Sequence, residues 1–201
     1  MPIAMVPLLR GCLAVAVALG VAGCAGSNFS RQSDDMLVLG RTSHQEILQR
    51  LGAPYREGTV TKNGKQLKTL TYAYSTAGGT PAYDGVTPSR SQGFYFLDDK
   101  LVGYEFTSSY KDDHTDFDGS KVSAIKNGAS TRAEVITLIG RPGGKYVHPL
   151  IVSTNEQADV YLYAHVTGSA FNLKLHEKLL IVTYDPRGLV SNVDYKESGQ
   201  K

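Results

Sequence analysis

The chain contains a partial copy of itself, and no other feature limits its fold as strongly. Residues 40–54 align with residues 128–142 at a constant offset of 88 (128 − 40). Gly40/Gly128, Glu46/Glu134, Gly52/Gly140 and Pro54/Pro142 are identical, four of the fifteen aligned positions. Ordinary composition gives roughly one such identity by chance. Thr42/Ser130, Ser43/Thr131, His44/Arg132, Ile47/Val135, Leu48/Ile136 and Leu51/Ile139 are conservative pairs. Each copy reads as a short helix. Ser43 with Glu46, and Thr131 with Glu134, have the spacing of capping boxes, which satisfy the free N–H groups of a first turn. Ile47, Leu48 and Leu51, and Val135, Ile136 and Ile139, form apolar stripes suited to packing on a sheet. Gly52 and Gly140 fall just past each helix, and Pro54 and Pro142 forbid its continuation. Capping explains these glycines and glutamates better than a phosphate loop or an acid catalyst.

Strand patterns follow each helix. In the first copy, residues 55–61 lead to Asn63-Gly64, a hairpin turn whose residues tolerate positive φ, and residues 67–75 alternate with period two. Residues 93–97, an Asp98-Asp99 turn and residues 101–106 make a second hairpin. The second copy repeats this with residues 160–165, 178–184 and 189–195. The expected fold is α+β: two tandem repeats, each a capped helix followed by a meander of three or four antiparallel strands, sharing one curved sheet. Unit one spans 37–106, a linker 107–123, unit two 124–195 and a tail 196–201. With a two-residue turn, strict alternation puts Phe94, Phe96 and Leu101 on one face. Tyr95, Val102, Tyr104 and Phe106 then stand on the other, leaving an aromatic second face.

The first residues read as an address. One basic side chain, Arg10, precedes an apolar run over residues 11–23, too short to span a bilayer and followed by no stop-transfer charges. An ordinary signal peptide would show the same run. Val21-Ala22-Gly23-Cys24 goes further, since it resembles the lipobox of bacterial lipoproteins. That resemblance implies a leader over 1–23 and a thiol at Cys24 that carries lipid and becomes the first residue. With Ala25 next, it also implies an outer-membrane anchor facing the periplasm. Cys12 would leave with the leader, so the mature chain could form no internal disulfide. Residues 24–36 are polar and aperiodic and read as a tether.

The helix pattern, the aromatic-x-Tyr strands (Tyr72 and Tyr74, Tyr161 and Tyr163), the apolar hairpins and the lipobox together resemble the SmpA/OmlA (BamE-like) outer-membrane lipoproteins. Two such units in tandem look like the β-lactamase inhibitor proteins, whose duplicated units share one long sheet. The likeness covers about residues 37–106 and 124–195. Here Tyr72 and Tyr161 stand where that family often has Trp, and this chain has two units where BamE-like members have one.

Reactive chemistry is hard to find. A hydrophobic share of 41% with 20% charged residues fits a globular body. A net charge of +2 gives no reason to expect nucleic acid. No Gly-x-Ser-x-Gly, His-Glu-x-x-His or Cys-x-x-Cys is present. Gly140-Arg141-Pro142-Gly143-Gly144-Lys145 has a P-loop look but the wrong spacing, and it follows a helix instead of opening one. Asp112, Asp113, Asp116 and Asp118 surround His114. A Ca²⁺ loop starting at His114 lacks its first acid and puts Ile125 where a bidentate Glu belongs, so a solvated linker is the better reading. His44, His148, His165 and His176 lie far apart and support no metal site.

The expectation is therefore a non-enzymatic lipoprotein that binds another envelope protein, with no catalytic residue, metal, small-molecule substrate or cofactor beyond the lipid on Cys24. Tyrosine offers large contact area with a polar tip, which suits an interface. Tyr72, Tyr74, Tyr161 and Tyr163 on the sheet have two readings, as edges of the core or as one candidate contact surface. The long loop 76–90 is first read as disordered; its second reading is a contact surface anchored by Tyr83 and Arg90. The alternative function is an inhibitor that docks a loop into the active site of a periplasmic hydrolase. A hydrolase or metal-binding protein is a third, which a polar pocket with converging His and Asp side chains would raise.

Overall fold

The computed structural model describes residues 26–76, 78–169 and 172–199. The leader 1–23 and the lipidation residue Cys24 lie outside the described residues. No helix among those described is long and apolar enough to cross a membrane.

Helices α1 (His44–Leu51) and α2 (Arg132–Ile139) start at their capping boxes. Ser43 Oγ accepts from Glu46 N at 3.2 Å, while Glu46 Oε2 accepts from Ser43 N at 2.6 Å. Thr131 and Glu134 repeat this exchange at 3.3 and 2.8 Å. The lead-in segments match as well. Gly40 and Gly128 sit at φ +75° and +72°, which an L side chain rarely adopts. There, Gly40 N donates to Leu101 O at 2.8 Å and Gly128 N to Val190 O at 2.7 Å. The hydroxyls of Thr42 and Ser130 each accept a backbone N–H four residues back, at 2.9 Å in both cases. One stripe differs from expectation. Val135, Leu138 and Ile139 face the core in α2, whereas Ile136 lines a groove, because residues three and four apart share a helix face.

The strands are β1 (Arg56–Lys62), β2 (Lys65–Ser75), β3 (Val86–Thr87), β4 (Ser89–Leu97), β5 (Lys100–Ser108), β6 (Gly144–Tyr146), β7 (Gln157–Ser169), β8 (Asn172–Tyr184) and β9 (Val190–Gly199). They form one antiparallel sheet, curled into a half-barrel, in the order β1-β2-β4-β5-β6-β7-β8-β9, and β3 pairs with β7. Both helices pack on one side of it, the helix side. Ile47 of α1 is buried with Phe94, Phe96, Leu101, Tyr104 and Phe106. Val135 and Ile139 of α2 are buried with Tyr161, Tyr163, Leu180 and Val182. Each such side chain contributes about 1.5–3 kcal/mol by leaving water.

The aromatic second face is corrected by a β-bulge. Tyr95 opposes Gly103, yet Phe96 opposes Leu101, so Val102 is an extra residue. The alternation flips there, and Tyr104 and Phe106 join Phe94 on the helix side. On the open side only a small cluster forms, where Ile151 and Leu150 fold over Tyr146, Val160 and Tyr95.

Three further expectations change. The supposed tether docks: the buried Gln92 side chain accepts from Gln32 N at 2.8 Å and donates to Gln32 O at 2.9 Å, as a neighbouring strand would. The loop 76–90 is ordered where described, through β3 and a Pro81–Tyr110 bridge. The linker is not solvated along its length, since Phe117 is buried in the α2 core and Thr115 Oγ1 donates to Leu162 O at 2.6 Å.

The halves meet at a close backbone approach. A Cβ on Gly144 would lie 2.2 Å from Tyr104 O, and one on Gly143 would lie 2.6 Å from Phe106 O. This contact accounts for Gly143 and Gly144 of the P-loop-like stretch, and Gly140 is the C-cap of α2 at φ +109°. Gly144→Ala should cost about 3 kcal/mol through forced separation of β5 and β6, against about 1–2 kcal/mol for Gly128→Ala, where only φ is strained. Urea unfolding midpoints would measure the order.

Candidate functional site

Two stretches that look unrelated in sequence meet on the helix side of the seam. The linker residues 112–117 form one wall of a groove of about 980 Å³, and α2 with residues 140–145 forms another. Arg31 and Asp34, from the segment before α1, close it, and Tyr161 is part of its lining. Charges of both signs line it. Arg132 Nε and Nη2 reach Asp159 Oδ2 and Oδ1 at 2.8 and 2.5 Å, a bidentate pair on a carboxylate that is 1% exposed. Lys145 stands 3.9 Å from Asp34.

On the other flank of the linker lies a cleft of about 610 Å³ between Tyr83, residues 116–120, Lys178, Tyr195 and Glu197. Lys178 is buried on β8, where an apolar side chain would be usual. Its ammonium donates to Phe117 O, pairs with Asp116 and stands 4.9 Å above the Phe117 ring. Tyr83 Oη donates to Asp116 Oδ2 at 2.7 Å, and this bond pushes the phenol pKa up to about 12. The hydroxyl therefore stays protonated and serves as a donor. Deeper along the strand, His176 Nε2 lies 2.9 Å from Glu197 Oε1, and the His165 ring lies tilted against that of His176, with centroids 5.0 Å apart. Burial, followed by the neighbouring His176, lowers the His165 pKa.

Of the six candidate contact residues, the structure leaves one well exposed. Tyr72, Tyr161 and Tyr163 are 3%, 3% and 1% exposed; they are core residues because their strand positions face the helices. Tyr72 Oη donates to Gly52 O at 2.8 Å and satisfies the end of α1. Tyr74 is half-buried and stacks on Tyr110, with ring centroids 6.2 Å apart and planes at 7°. Arg90 bonds Asn28 Oδ1, Phe29 O and Asp113, tying the N-terminal segment to the linker. Tyr83 is 47% exposed and packs edge-on against Tyr163 and His114. Lys178 and Asp159 were the residues missed. Their signal was a charge at a sheet position followed two residues on by a core side chain, Tyr161 after Asp159 and Leu180 after Lys178. Among the described residues, no group of three or more His, Cys, Asp or Glu side chains could hold a metal ion.

The open side has its own groove, of about 610 Å³, lined by Thr69, Thr71, Ser91, Tyr95 and Glu105 with Arg56 and Lys62 at its rim. Tyr95 Oη donates to Glu105 Oε1 at 2.8 Å, and Tyr146 Oη donates to Oε2. Burial pushes the Glu105 carboxyl above its ordinary 4.5, against the pull of both tyrosine bonds.

No protein-family model and no curated protein matches the chain. Among solved structures it is similar to a "putative beta-lactamase inhibitor protein" from Streptococcus mutans, at 15% identity over 77% of this chain and 82% of that one, with a TM-score of 0.37. The likeness is distant and concerns fold alone.

Two outcomes test this electrostatic layout. Arg132→Ala leaves Asp159 buried and unpaired and should cost about 3 kcal/mol. Arg132→Lys should recover less than half, since an ammonium cannot bridge both oxygens; chemical denaturation measures both. Glu105 binds its proton more tightly folded than unfolded, so its contribution is fully present below 4.5 and is lost as pH rises through the raised value. Glu105→Gln should flatten that fall and leave the variant more stable than the native chain at neutral pH, read as Tm against pH.

Proposed function

We propose that this protein is a lipoprotein anchored to the outer membrane through acylated Cys24, facing the periplasm and binding another envelope protein without catalysing a reaction. Its support in sequence is the lipobox at Val21-Ala22-Gly23-Cys24. The offset of 88 and the matching bonds before and within the two helices favour a tandem duplication of a SmpA/OmlA (BamE-like) unit.

One observation carries the binding role. The linker is a ridge with a groove on each flank, and Tyr83 stands exposed beside it, held in place by Asp116. Interfaces are built around such aromatic anchors with a polar tip, set among charges of both signs. The ridge suits a polypeptide that can lay acidic and basic side chains into the two flanks, and the charged pairs would set its register.

A photo-crosslinking side chain placed at Asp112 should trap a defined envelope protein, and one at Thr71 on the open side should not. Tyr83→Ala should weaken capture of that protein about tenfold, equivalent to about 1.4 kcal/mol, while far-ultraviolet circular dichroism stays native. Equal trapping at both positions would move the interface to the open groove. Inhibition of a periplasmic hydrolase by the purified protein would favour the inhibitor reading over an assembly role.

A further inference from the structure

The described chain begins against the sheet. Gly26 bridges Tyr74 in antiparallel fashion, and a Cβ on Gly26 would stand 2.0 Å from Ala73 O and 3.6 Å from the Tyr55 ring. Cys24 is two residues upstream, and two extended residues reach about 7 Å. Acyl chains on Cys24 would therefore leave the body close to this point.

The same point opens on an apolar trough of the sheet, about 260 Å³, where Tyr55 and Ala73 face Ala164, Val166 and Leu175. Val166 opposes Leu175 in the β7–β8 register, and Leu173 shares its side of β8 by alternation. Leu173 and Leu175 are 64% and 54% exposed, and Tyr55 is 53% exposed. Two neighbouring exposed leucines on one strand face, beside an aromatic, form an apolar patch that a freely dissolved protein has no use for. Glu177, the next residue on that side, marks where the strand must return to water.

We propose that Leu173 and Leu175 dock on the phospholipid surface beside the anchor, so that the protein lies against its own membrane along this rim. The inference rests on the reading of Cys24 as acylated. A bilayer is the partner that such an anchor keeps within reach of the patch, and an amphipathic strand face next to a lipid needs no further recognition element.

The test uses acylated protein purified from envelopes, with Leu175→Cys or Val152→Cys carrying an environment-sensitive fluorophore. Val152 is 81% exposed on the loop after β6 and serves as the control. In phosphatidylethanolamine–phosphatidylglycerol vesicles containing a doxyl-labelled lipid, the label at position 175 should be quenched at least threefold more than the label at 152. Equal quenching, with acylation of Cys24 verified by mass, overturns the docking and leaves the anchor intact. A label at 175 shielded from both lipid and aqueous quenchers, increasingly so at higher protein density, assigns the patch to a second copy and also overturns it. A mass showing unmodified Cys24 overturns the anchor reading and the docking with it.

Discussion

At the middle of the sheet the backbones of β5 and β6 come closer than any side chain would allow, with Gly143 and Gly144 set against the carbonyls of Phe106 and Tyr104. The pairing is brief. β6 has three residues, and only Gly103 and Tyr104 of β5 oppose it. Beyond it β5 and β7 carry backbone groups that must find other partners. Thr107 Oγ1 accepts from Ala164 N at 3.1 Å, Thr115 Oγ1 donates to Leu162 O, and β3 takes the far end of β7. The ordered loop and the linker ridge are thus consequences of a short central strand.

Buried charges then hold those segments in place. Lys178 binds the linker through Phe117 O and Asp116, and Arg132 binds Asp159 next to the second groove wall. Such pairs contribute little net stability compared with apolar replacements, but each is costly to break from one side. That asymmetry favours specificity of placement. Asp116 takes both Lys178 and the Tyr83 hydroxyl, so the exposed ring sits where the buried cation positions it.

The sheet separates two kinds of surface. Its helix side carries the linker with a groove on each flank, and its open side carries the Glu105 groove and the leucines of the β7–β8 hairpin. The chain enters at Gly26 next to the latter. An anchored protein of this form would present its linker to the periplasm while its hairpin stays near the lipid, without any moving part.

What could be read residue by residue was local. Ser43 with Glu46, Thr131 with Glu134, and the Asn63-Gly64 and Asp98-Asp99 turns act within four residues, so their spacing alone dictates their conformation. The long strands were legible for the same reason, because alternation is a property of the strand itself. The extra residue at Val102 carries no local mark, yet it reverses which aromatics are buried. The docking of Gln32 on Gln92 and the pairing of β3 with β7 depend on partners about sixty and eighty residues away, and the three-residue β6 is defined by β5, about forty residues upstream. Helices, turns and strands followed from neighbours along the chain. Which side chains became core and which became surface was decided in space, where distant backbone groups competed for the same hydrogen bonds.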